Sequence, residues 1–139
     1  MKKFDFLIVG SGFSGSIISM ALTKMGYSVC LIENDQHPRF AIGESSTPIA
    51  DMILRDLAED YDLPFLNKLS RYGVWQKNYP DVICGLKRGF SYYQHKQGES
   101  FSSDKNHSSE LLVAASENDQ NSDTNWLRSD VDHFLVNKA

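Results

Sequence analysis

The stretch Gly10-Ser11-Gly12-Phe13-Ser14-Gly15 has glycines at its first, third and sixth positions and directly follows an apolar run over residues 4–9. That run is short and rich in aliphatic and aromatic residues, so it predicts a buried β-strand. Over residues 13–25 the apolar positions recur at offsets of three and four, which predicts a helix. Its expected buried face consists of Ile17, Ile18, Ala21, Leu22 and Met25.

A second apolar run, over residues 28–32, ends at Glu33 and predicts another buried strand. Gly26 lies between the helix and this strand, where a helix C-terminus favours a left-handed residue. Strand, helix and strand with short links predict a parallel pair with a right-handed crossover. The fold class predicted for the chain is therefore α/β, with a Rossmann-like βαβ unit over residues 1–35.

The glycine spacing matches the G-x-G-x-x-G fingerprint of dinucleotide-binding units, and each position has a physical reason. Gly10 permits a tight turn, Gly12 lets a pyrophosphate approach the backbone, and Gly15 lets the helix lie close to the sheet. The helix opens at Phe13 and Ser14, whose free N–H groups face the phosphates. The pattern alone is a weak signal, but here it lies between a predicted strand and a predicted helix.

Glu33 strengthens this prediction, because it lies 18 residues after Gly15 and the fingerprint expects an acid about 20 residues on. Its carboxylate suits ribose hydroxyls and would repel a 2′-phosphate, which disfavours NADP. A glycine turn in an unrelated α/β protein is the alternative, and the complete context disfavours it. FAD and NAD share the fingerprint. No further βα unit follows Glu33 promptly, which favours FAD and a large insertion.

The remaining chain divides into three predicted regions. Residues 36–60 form a loop and a helix that Thr47 caps and Pro48 opens. Residues 61–125 form an inserted region, with a short helix at 65–69, strands near 82–84 and 89–94, a short apolar segment at 111–115, and polar stretches at 96–109 and 116–125. Residues 126–139 contain a helix over 130–138 that returns to the first unit. Its apolar side is expected to contain Val131, Phe134, Leu135 and Lys138.

Composition excludes several classes of function. The chain has 139 residues, a net charge of -4 and no basic run, so nucleic-acid binding is not expected. Its histidines and cysteines lack metal-ligand spacing, and its two cysteines do not suggest a disulfide framework. No apolar run approaches the roughly 20 residues of a membrane span. A cytoplasmic protein is expected.

Residues 37–48, HPRFAIGESSTP, resemble the P-R-F-x-x-G-E-[SA]-x-x-P segment of flavin-dependent halogenases of the tryptophan halogenase family. The resemblance includes the glycine turn, Glu33 and residues 126–132. It implies a glutathione-reductase-like FAD fold, FAD as cofactor, and a small organic substrate such as an aromatic compound. It also implies that a separate flavin reductase supplies reduced flavin. A monooxygenase or dehydrogenase of the same fold, and an inactive nucleotide-binding remnant, are the alternative functions.

The resemblance also implies roles for individual residues. The strap, defined here as residues 43–48, runs between flavin and substrate in this family and includes Ser45, Ser46 and Thr47. Arg39 would lie near the adenosine part of FAD, and Arg128 near the phosphate or ribitol part. The alternatives are a capped helix start without a ligand, a solvent-exposed Arg39, and a surface ion pair of Arg128 with Asp130 or Asp132.

The catalytic candidate is Lys87, which the resemblance compares with the lysine that handles hypohalous acid in halogenases. A solvated Lys87–Arg88 pair is the alternative, because the spacing from Glu44 is longer than in typical tryptophan halogenases. The family's W-x-W-x-I-P motif and later G-D motif are absent from these residues. We therefore expect a truncated chain that holds the FAD-binding front of such an enzyme and the start of its substrate region.

Overall fold

The computed structural model describes residues 2–114 and 116–139. Its elements, in chain order, are β1 (Phe6–Val9), α1 (Phe13–Lys24), β2 (Val29–Ile32), α2 (Pro48–Asp60), α3 (Pro64–Asn67), α4 (Tyr72–Asn78), β3 (Cys84–Lys87), β4 (Gly89–Tyr93), β5 (Glu110–Ala114), a 3-10 turn (Asp119–Asn121), β6 (Asp123–Trp126) and α5 (Arg128–Val136).

The predicted βαβ unit is confirmed. β1 and β2 pair in parallel, with Phe6 opposite Val29 and Val9 opposite Ile32, and α1 connects them. Gly26 has a φ of +93°, the left-handed conformation expected just beyond a helix C-terminus. Local sequence therefore determines this unit, because its turn, helix and caps all lie within a short stretch of chain.

The predicted burial of the two strands is wrong. Leu7 and Val9 of β1 are 64% and 77% exposed, while Ile8 between them is half-buried. Successive strand residues face opposite sides of a sheet, and Ile8 lies on the side where α1 packs at Gly15. Leu7 and Val9 therefore occupy the uncovered face. Parallel strands are normally covered on both faces, which explains their apolar composition.

The predicted buried face of α1 is only partly correct. Ile17 is buried, but Ile18 and Met25 are exposed, and Met20 is buried in their place. The reason is that α1 packs against α5 as well as the sheet. The buried face also contains two serines, whose hydroxyls donate 2.8 Å hydrogen bonds to nearby backbone carbonyls and are thereby satisfied.

α2 begins as predicted. The Thr47 hydroxyl accepts a 3.2 Å hydrogen bond from the Ala50 N–H, and Pro48 is the first helical residue. The helix ends at Asp60, and the predicted second short helix follows as α3, which Pro64 opens. Capping and proline placement are local, so the sequence predicts these boundaries well.

The central region contains two antiparallel strand pairs. β3 pairs with β6, so that Lys87 lies opposite Asp123, and β4 pairs with β5. β4 matches the strand expected near 89–94, but β3 begins only at Cys84, later than expected. The last residue of the predicted apolar segment at 111–115, Ala115, lies outside the described residues.

α4 and β6 were not expected from the sequence. α4 forms around Trp75, which is fully buried and whose Nε1–H donates a 2.7 Å hydrogen bond to the Val82 carbonyl. β6 occupies part of a stretch that the sequence marks only as polar. Its Thr124 is fully buried, because the pairing with β3 and hydrogen bonds to Ser46 satisfy its polar groups. Both elements also contact parts of the chain distant in sequence, because α4 packs against the 3-10 turn and β6 pairs with β3.

The core joins α1 to the helices of the second half. Val131 and Leu135 of α5 are fully buried, and Phe134 packs against the core, which confirms these three residues of the predicted apolar face. Lys138 is exposed and lies beyond the end of the helix. α5 begins at Arg128, two residues before the predicted start. Its Leu135 and Val131 belong to one hydrophobic cluster with residues of α1, α2, α3 and α4, namely Ile17, Met20, Leu54, Ala58, Leu66 and Trp75.

The described residues contain no helix with the length and apolarity to cross a membrane. They also contain no group of three or more His, Cys, Asp or Glu side chains arranged to hold a metal ion. Cys30 and Cys84 are free thiols.

Candidate functional site

The glycine turn between β1 and α1 has the geometry that its sequence predicts. Gly10 has a φ of +97°, and its N–H donates a 2.8 Å hydrogen bond to the Ile32 carbonyl of β2. A Cβ on Gly15 would lie 1.8 Å from the Gly10 carbonyl oxygen. The helix therefore approaches the strand so closely that Gly15 admits no side chain, which confirms its predicted packing role.

Gly12 differs from Gly15. A Cβ there would lie 3.4 Å from Asp132 Oδ2 and 3.5 Å from Arg39 Nη2, which are ordinary contact distances. Gly12 is also the N-cap of α1, and no side chain of the described part of the chain caps this helix end. The N–H groups at Phe13 and Ser14 thus begin a helix whose N-terminal donors have no side-chain cap among the described residues.

Glu33 lies at the end of β2 and contacts the glycine turn. Its Oε2 accepts hydrogen bonds from the Ser11 N–H at 2.8 Å and the Ser11 hydroxyl at 3.0 Å. Its Oε1 accepts from the N–H groups of Asn34 and Asp35, at 2.8 and 3.2 Å. The backbone N–H of Ser11, followed by those of Asp35 and Asn34, holds the pKa of Glu33 well below its usual range. An ionised acceptor therefore borders the turn.

Arg39 lies beside Glu33, with its Nη2 3.3 Å from Oε2 of the carboxylate. Its side chain is 27% exposed, so the alternative of a solvent-exposed arginine is wrong. The Arg39 Nε is buried and has no hydrogen-bond partner among the described residues. A buried guanidinium N–H without a partner is costly, and an acceptor on a bound molecule would satisfy it.

His37 is a further residue of this cluster, and sequence reasoning assigned it no role. Its Nε2 lies 2.8 Å from the Ser11 hydroxyl, and its side chain is only 7% exposed. It therefore supports the serine that bridges the glycine turn and Glu33. No periodic pattern marks a loop histidine; its position four residues after Glu33 was the one available signal.

Arg128 connects α5 to the strap. Its Nε and Nη2 donate to the two oxygens of Asp132 at 2.9 and 3.0 Å, and its Nη1 donates to the carbonyls of Ile42 at 2.7 Å and Gly43 at 3.2 Å. Asp132 is fully buried and the Arg128 side chain is 16% exposed. Asp132 is one of the two partners that the alternative named for Arg128. The ion pair is buried, however, so the alternative of a surface ion pair is wrong.

The strap itself is attached to β6. The Ser46 N–H donates to the Thr124 carbonyl, and the Thr124 N–H donates to the Ser46 hydroxyl, both at 2.9 Å. The Glu44 carbonyl accepts from the Trp126 N–H at 2.7 Å. Ser46 is buried and Thr47 caps α2, so both hydroxyls make hydrogen bonds within the chain, whereas Ser45 is exposed.

Lys87 also reaches the strap. Its Nζ donates to the Ser45 hydroxyl and to the Ser46 carbonyl, each at 2.5 Å, and lies 4.0 Å from the centre of the Phe90 ring. Arg88 instead donates to the carbonyls of the 116–117 segment. The alternative of a solvated Lys87–Arg88 pair is therefore wrong, because β3 places the lysine amine on the strap.

A cavity of about 190 Å³ lies where these parts meet. It runs from the start of α1 at Phe13, past Arg128, to the strap at Ser45. An apolar cleft of about 310 Å³ lies between α1 and α2 and also touches Phe13. Phe13 of the glycine turn, Arg128 and the strap thus border one cavity, and Phe13 also borders the second.

Comparison with known proteins identifies the family. A family model described as "NAD(P)-binding Rossmann-like domain" matches residues 8–77. The chain belongs to this Rossmann-like family. The match begins in β1 and includes the glycine turn, Glu33, the strap and α2. The family description names NAD(P), but the same fingerprint accommodates FAD, so the match establishes the fold and not the choice of dinucleotide.

Relatives of this Rossmann-like chain are flavin-dependent halogenases. Monodechloroaminopyrrolnitrin halogenase PrnC of Pseudomonas fluorescens is 33% identical over 138 residues, which cover 99% of this chain and 24% of PrnC. Tetracycline 7-halogenase of Kitasatospora aureofaciens is 27% identical over 144 residues, with the same coverage of both chains. The chain therefore spans about a quarter of the length of the curated relatives it matches.

Solved structures agree with this Rossmann-like assignment. Halogenase PltM in complex with phloroglucinol and FAD has a TM-score of 0.79 and 29% identity, covering 97% of this chain and 25% of PltM. Flavin-dependent brominase Bmp2 has a TM-score of 0.57 and 30% identity, covering 97% of this chain and 26% of Bmp2. The predicted α/β class and the resemblance to flavin-dependent halogenases are confirmed.

Proposed function

We propose that this chain binds FAD and forms the dinucleotide-binding portion of a flavin-dependent halogenase-like oxidoreductase. The observation that carries the proposal is the arrangement around the glycine turn. Arg39 and Asp132 lie beside Gly12 at the uncapped end of α1, Glu33 binds the neighbouring Ser11, and the Arg39 Nε has no partner among the described residues. A dinucleotide supplies the missing acceptors as well as hydroxyl donors for Glu33.

Each residue of the proposed dinucleotide site then has one task. The N–H groups at Phe13 and Ser14 bind the pyrophosphate at Gly12, where the missing side chain leaves room between the backbone and the side chains of Asp132 and Arg39. Glu33 accepts hydrogen bonds from the ribose hydroxyls, and its ionised carboxylate repels a 2′-phosphate. Arg39 binds at the adenosine end. FAD is favoured over NAD because the relatives are flavin-dependent and the PltM complex contains FAD.

The strap and Arg128 border the cavity that begins at Phe13, and we assign the flavin end of the cofactor to this side. Arg128 holds the strap at Gly43, and Lys87 holds it at Ser45, so both residues position the same segment. Bound FAD supplies the redox chemistry by which oxygen oxidises halide. We propose that the Lys87 ammonium binds hypohalous acid by a hydrogen bond and directs its halogen to a small organic substrate. The halogen replaces a hydrogen of the substrate, whose proton leaves with the hydroxide of hypohalous acid as water, and a separate flavin reductase delivers reduced flavin.

FAD binding is tested by titrating the chain with FAD and measuring heat of binding and flavin fluorescence. We expect saturable binding of FAD, weaker binding of NADP, and a higher melting temperature in excess FAD, because a ligand of the native state stabilises it. Glu33→Gln is expected to weaken FAD binding by about tenfold or more, because it replaces a charged hydrogen-bond acceptor.

Glu99→Gln is the matched control for Glu33→Gln, since Glu99 is an exposed residue of the polar 96–109 segment. It should leave FAD affinity unchanged. A chain that folds but neither binds FAD nor gains stability from it contradicts the proposal. Equal affinity of Glu33→Gln and the wild type would remove Glu33 from the binding site.

The role of Lys87 is tested in the polypeptide that the complete gene encodes, with FAD, a flavin reductase, oxygen, bromide and an electron-rich aromatic probe. We expect Lys87→Met to reduce halogenated product by about 100-fold or more, the range for loss of a positioned proton-handling group, without weakening FAD binding. Arg88→Met is the control, because the Arg88 guanidinium binds the Ser116 carbonyl and not the strap. Equal product from both variants would exclude Lys87 from the reaction.

A further inference from the structure

Two buried carboxyl groups meet behind the strap. Asp51, in the first turn of α2, is 4% exposed, and Asp123, at the start of β6, is 2% exposed. The two carboxyl groups line one cavity of about 270 Å³ and are near enough for the like charge of Asp123 to raise the pKa of Asp51. None of the tasks proposed above for FAD or halide uses either residue.

Each of the two carboxyl groups leaves one oxygen without a partner. Asp51 Oδ1 and Asp123 Oδ2 are buried, and neither has a hydrogen bond among the described residues. Two ionised carboxylates in such contact repel each other, and buried acceptors without donors are costly. One proton between the groups removes the repulsion and supplies the missing donor.

Among the described residues, cations surround the pair, but no hydrogen bond reaches Asp51 Oδ1 or Asp123 Oδ2. Arg55 of α2 and Arg71, which precedes α4, line a 270 Å³ cavity together with the two aspartates. Arg71 is directed to Asn121, at 3.5 Å. From β3, Lys87 lies opposite Asp123 in the strand register, and its Nζ binds the strap instead of the aspartates.

The nearby 3-10 turn contributes one more acid, Asp119, whose Oδ1 lies 3.5 Å from Arg88 Nη1. The charged groups around the pair are thus Arg55, Arg71, Lys87 and the Arg88–Asp119 pair. They moderate the negative charge of a single carboxylate. They do not occupy the two free oxygens, which is why a second buried negative charge is unfavourable.

We propose that Asp51 and Asp123 share a single proton, and that this carboxyl–carboxylate pair positions the strap beneath Lys87. The pair joins α2 to β6, and Ser46 between them provides the carbonyl that binds the Lys87 amine. Asp51 and Asp123 are therefore positioning residues. The link to catalysis rests on the proposed function, whereas the shared proton does not.

The pair makes stability depend on pH in a defined direction. Burial, then the hydrogen bond and like charge of Asp123, raise the pKa of Asp51 from 3.8 to about 7. The native state therefore retains a proton that the unfolded chain releases. Its contribution to stability is fully present below pH 3.8 and is lost as the pH rises through about 7.

The decisive experiment measures the free energy of unfolding in urea, without flavin, from about pH 4 to about pH 9. This range contains the pH at which Asp51 is expected to lose its proton. Asp51→Asn carries an amide donor where the proton would lie, so its stability should fall less with rising pH and exceed that of the wild type at the alkaline end. Asp56→Asn, an exposed position in the same helix, should follow the wild-type curve. Parallel curves for Asp51→Asn and the wild type would overturn the shared proton.

A second measurement needs no variant, so it holds even if Asp51→Asn fails to fold. Carbon-13 NMR of the wild-type chain should show one aspartate carboxyl carbon that titrates near neutral pH, and no such carbon would overturn the proposal. As a further test, the stability of the wild type and of Asp51→Asn is measured at alkaline pH with added magnesium or calcium. If either ion stabilises the wild type but not Asp51→Asn, a cation and not a proton joins the pair, and the proposal is wrong.

The positioning role has its own readout. The side-chain NMR signals of Lys87 should shift with the same pH midpoint as the aspartate carbon in the wild type, and this step should disappear in Asp51→Asn. Lys77, an exposed lysine of α4, is the internal control. An aspartate step without a Lys87 step would overturn the positioning role alone. Because every sample lacks flavin, failure here is distinguishable from failure to bind FAD.

Discussion

Gly15→Ala is expected to lower the free energy of unfolding by about 3 kcal/mol, the upper part of the usual range for overpacking. The new methyl carbon would lie 1.8 Å from the Gly10 carbonyl oxygen, which is backbone and cannot rotate away. Alanine is intrinsically better than glycine inside a helix by about 1 kcal/mol, but this gain is smaller than the cost of separating α1 from β1.

Gly12→Ala is the matched comparison, three residues earlier in the same turn. Its methyl group would make ordinary contacts at 3.4 and 3.5 Å, so the free chain should lose only about 1 kcal/mol or less, the usual cost of alanine at an N-cap. It should nevertheless weaken FAD binding by about tenfold or more, because it occupies the space through which the pyrophosphate approaches.

Urea unfolding and FAD titration of the two variants separate these effects. The expected pattern is a large loss of stability for Gly15→Ala, and a loss of affinity with a much smaller loss of stability for Gly12→Ala. Wild-type stability in Gly15→Ala would contradict the close approach of α1 to β1. Wild-type FAD affinity in Gly12→Ala would show that the pyrophosphate does not cross this position.

The parts of the fold that the sequence predicts are those with local causes. The glycine turn, the cap at Thr47 and the left-handed Gly26 are each determined by neighbouring residues. Strand burial is different, because exposure of Leu7 and Val9 depends on what covers the sheet and not on the strand. The apolar pattern correctly predicts a strand but carries no information about the neighbouring layer.

The candidate site shows the same division between residues that local sequence predicts and residues that distant strand pairing places. Glu33 is predictable, because the fingerprint specifies its distance from Gly15. Lys87 contacts Ser45 across 42 residues of sequence, and the contact exists because β3 pairs with β6 and β6 holds the strap. No local pattern encodes this register. For that reason the sequence names Lys87 as a candidate only through a resemblance, whereas the structure provides its contacts.

The strap connects the two halves of the proposed site, because it is held from three sides. Arg128 binds the Gly43 carbonyl, Lys87 binds Ser45, and Thr124 binds Ser46. Loss of any one of these contacts is therefore expected to displace the short strap backbone at the other two. Arg128 is the attachment nearest the glycine turn, since Asp132, its partner, also lies beside Gly12.

Arg128→Met is expected to lower the free energy of unfolding by about 3–5 kcal/mol, the range for removing one partner of a buried ion pair. The substitution leaves the Asp132 carboxylate, which is fully buried, without the bidentate partner that neutralises it. It also frees the Gly43 carbonyl. Lys24→Met is the control, because the Lys24–Asp62 pair is solvent-exposed and should contribute within about 0.5 kcal/mol.

Two further variants identify the cause of this loss. Arg128→Lys keeps the charge but cannot donate to both Asp132 oxygens and to the strap at once, so its stability should be intermediate. The double variant Arg128→Met with Asp132→Leu should recover much of the loss, because well-packed apolar residues often replace a buried pair without cost. If the double variant is as unstable as Arg128→Met, the loss arises from the freed strap carbonyl and not from the uncompensated charge of Asp132.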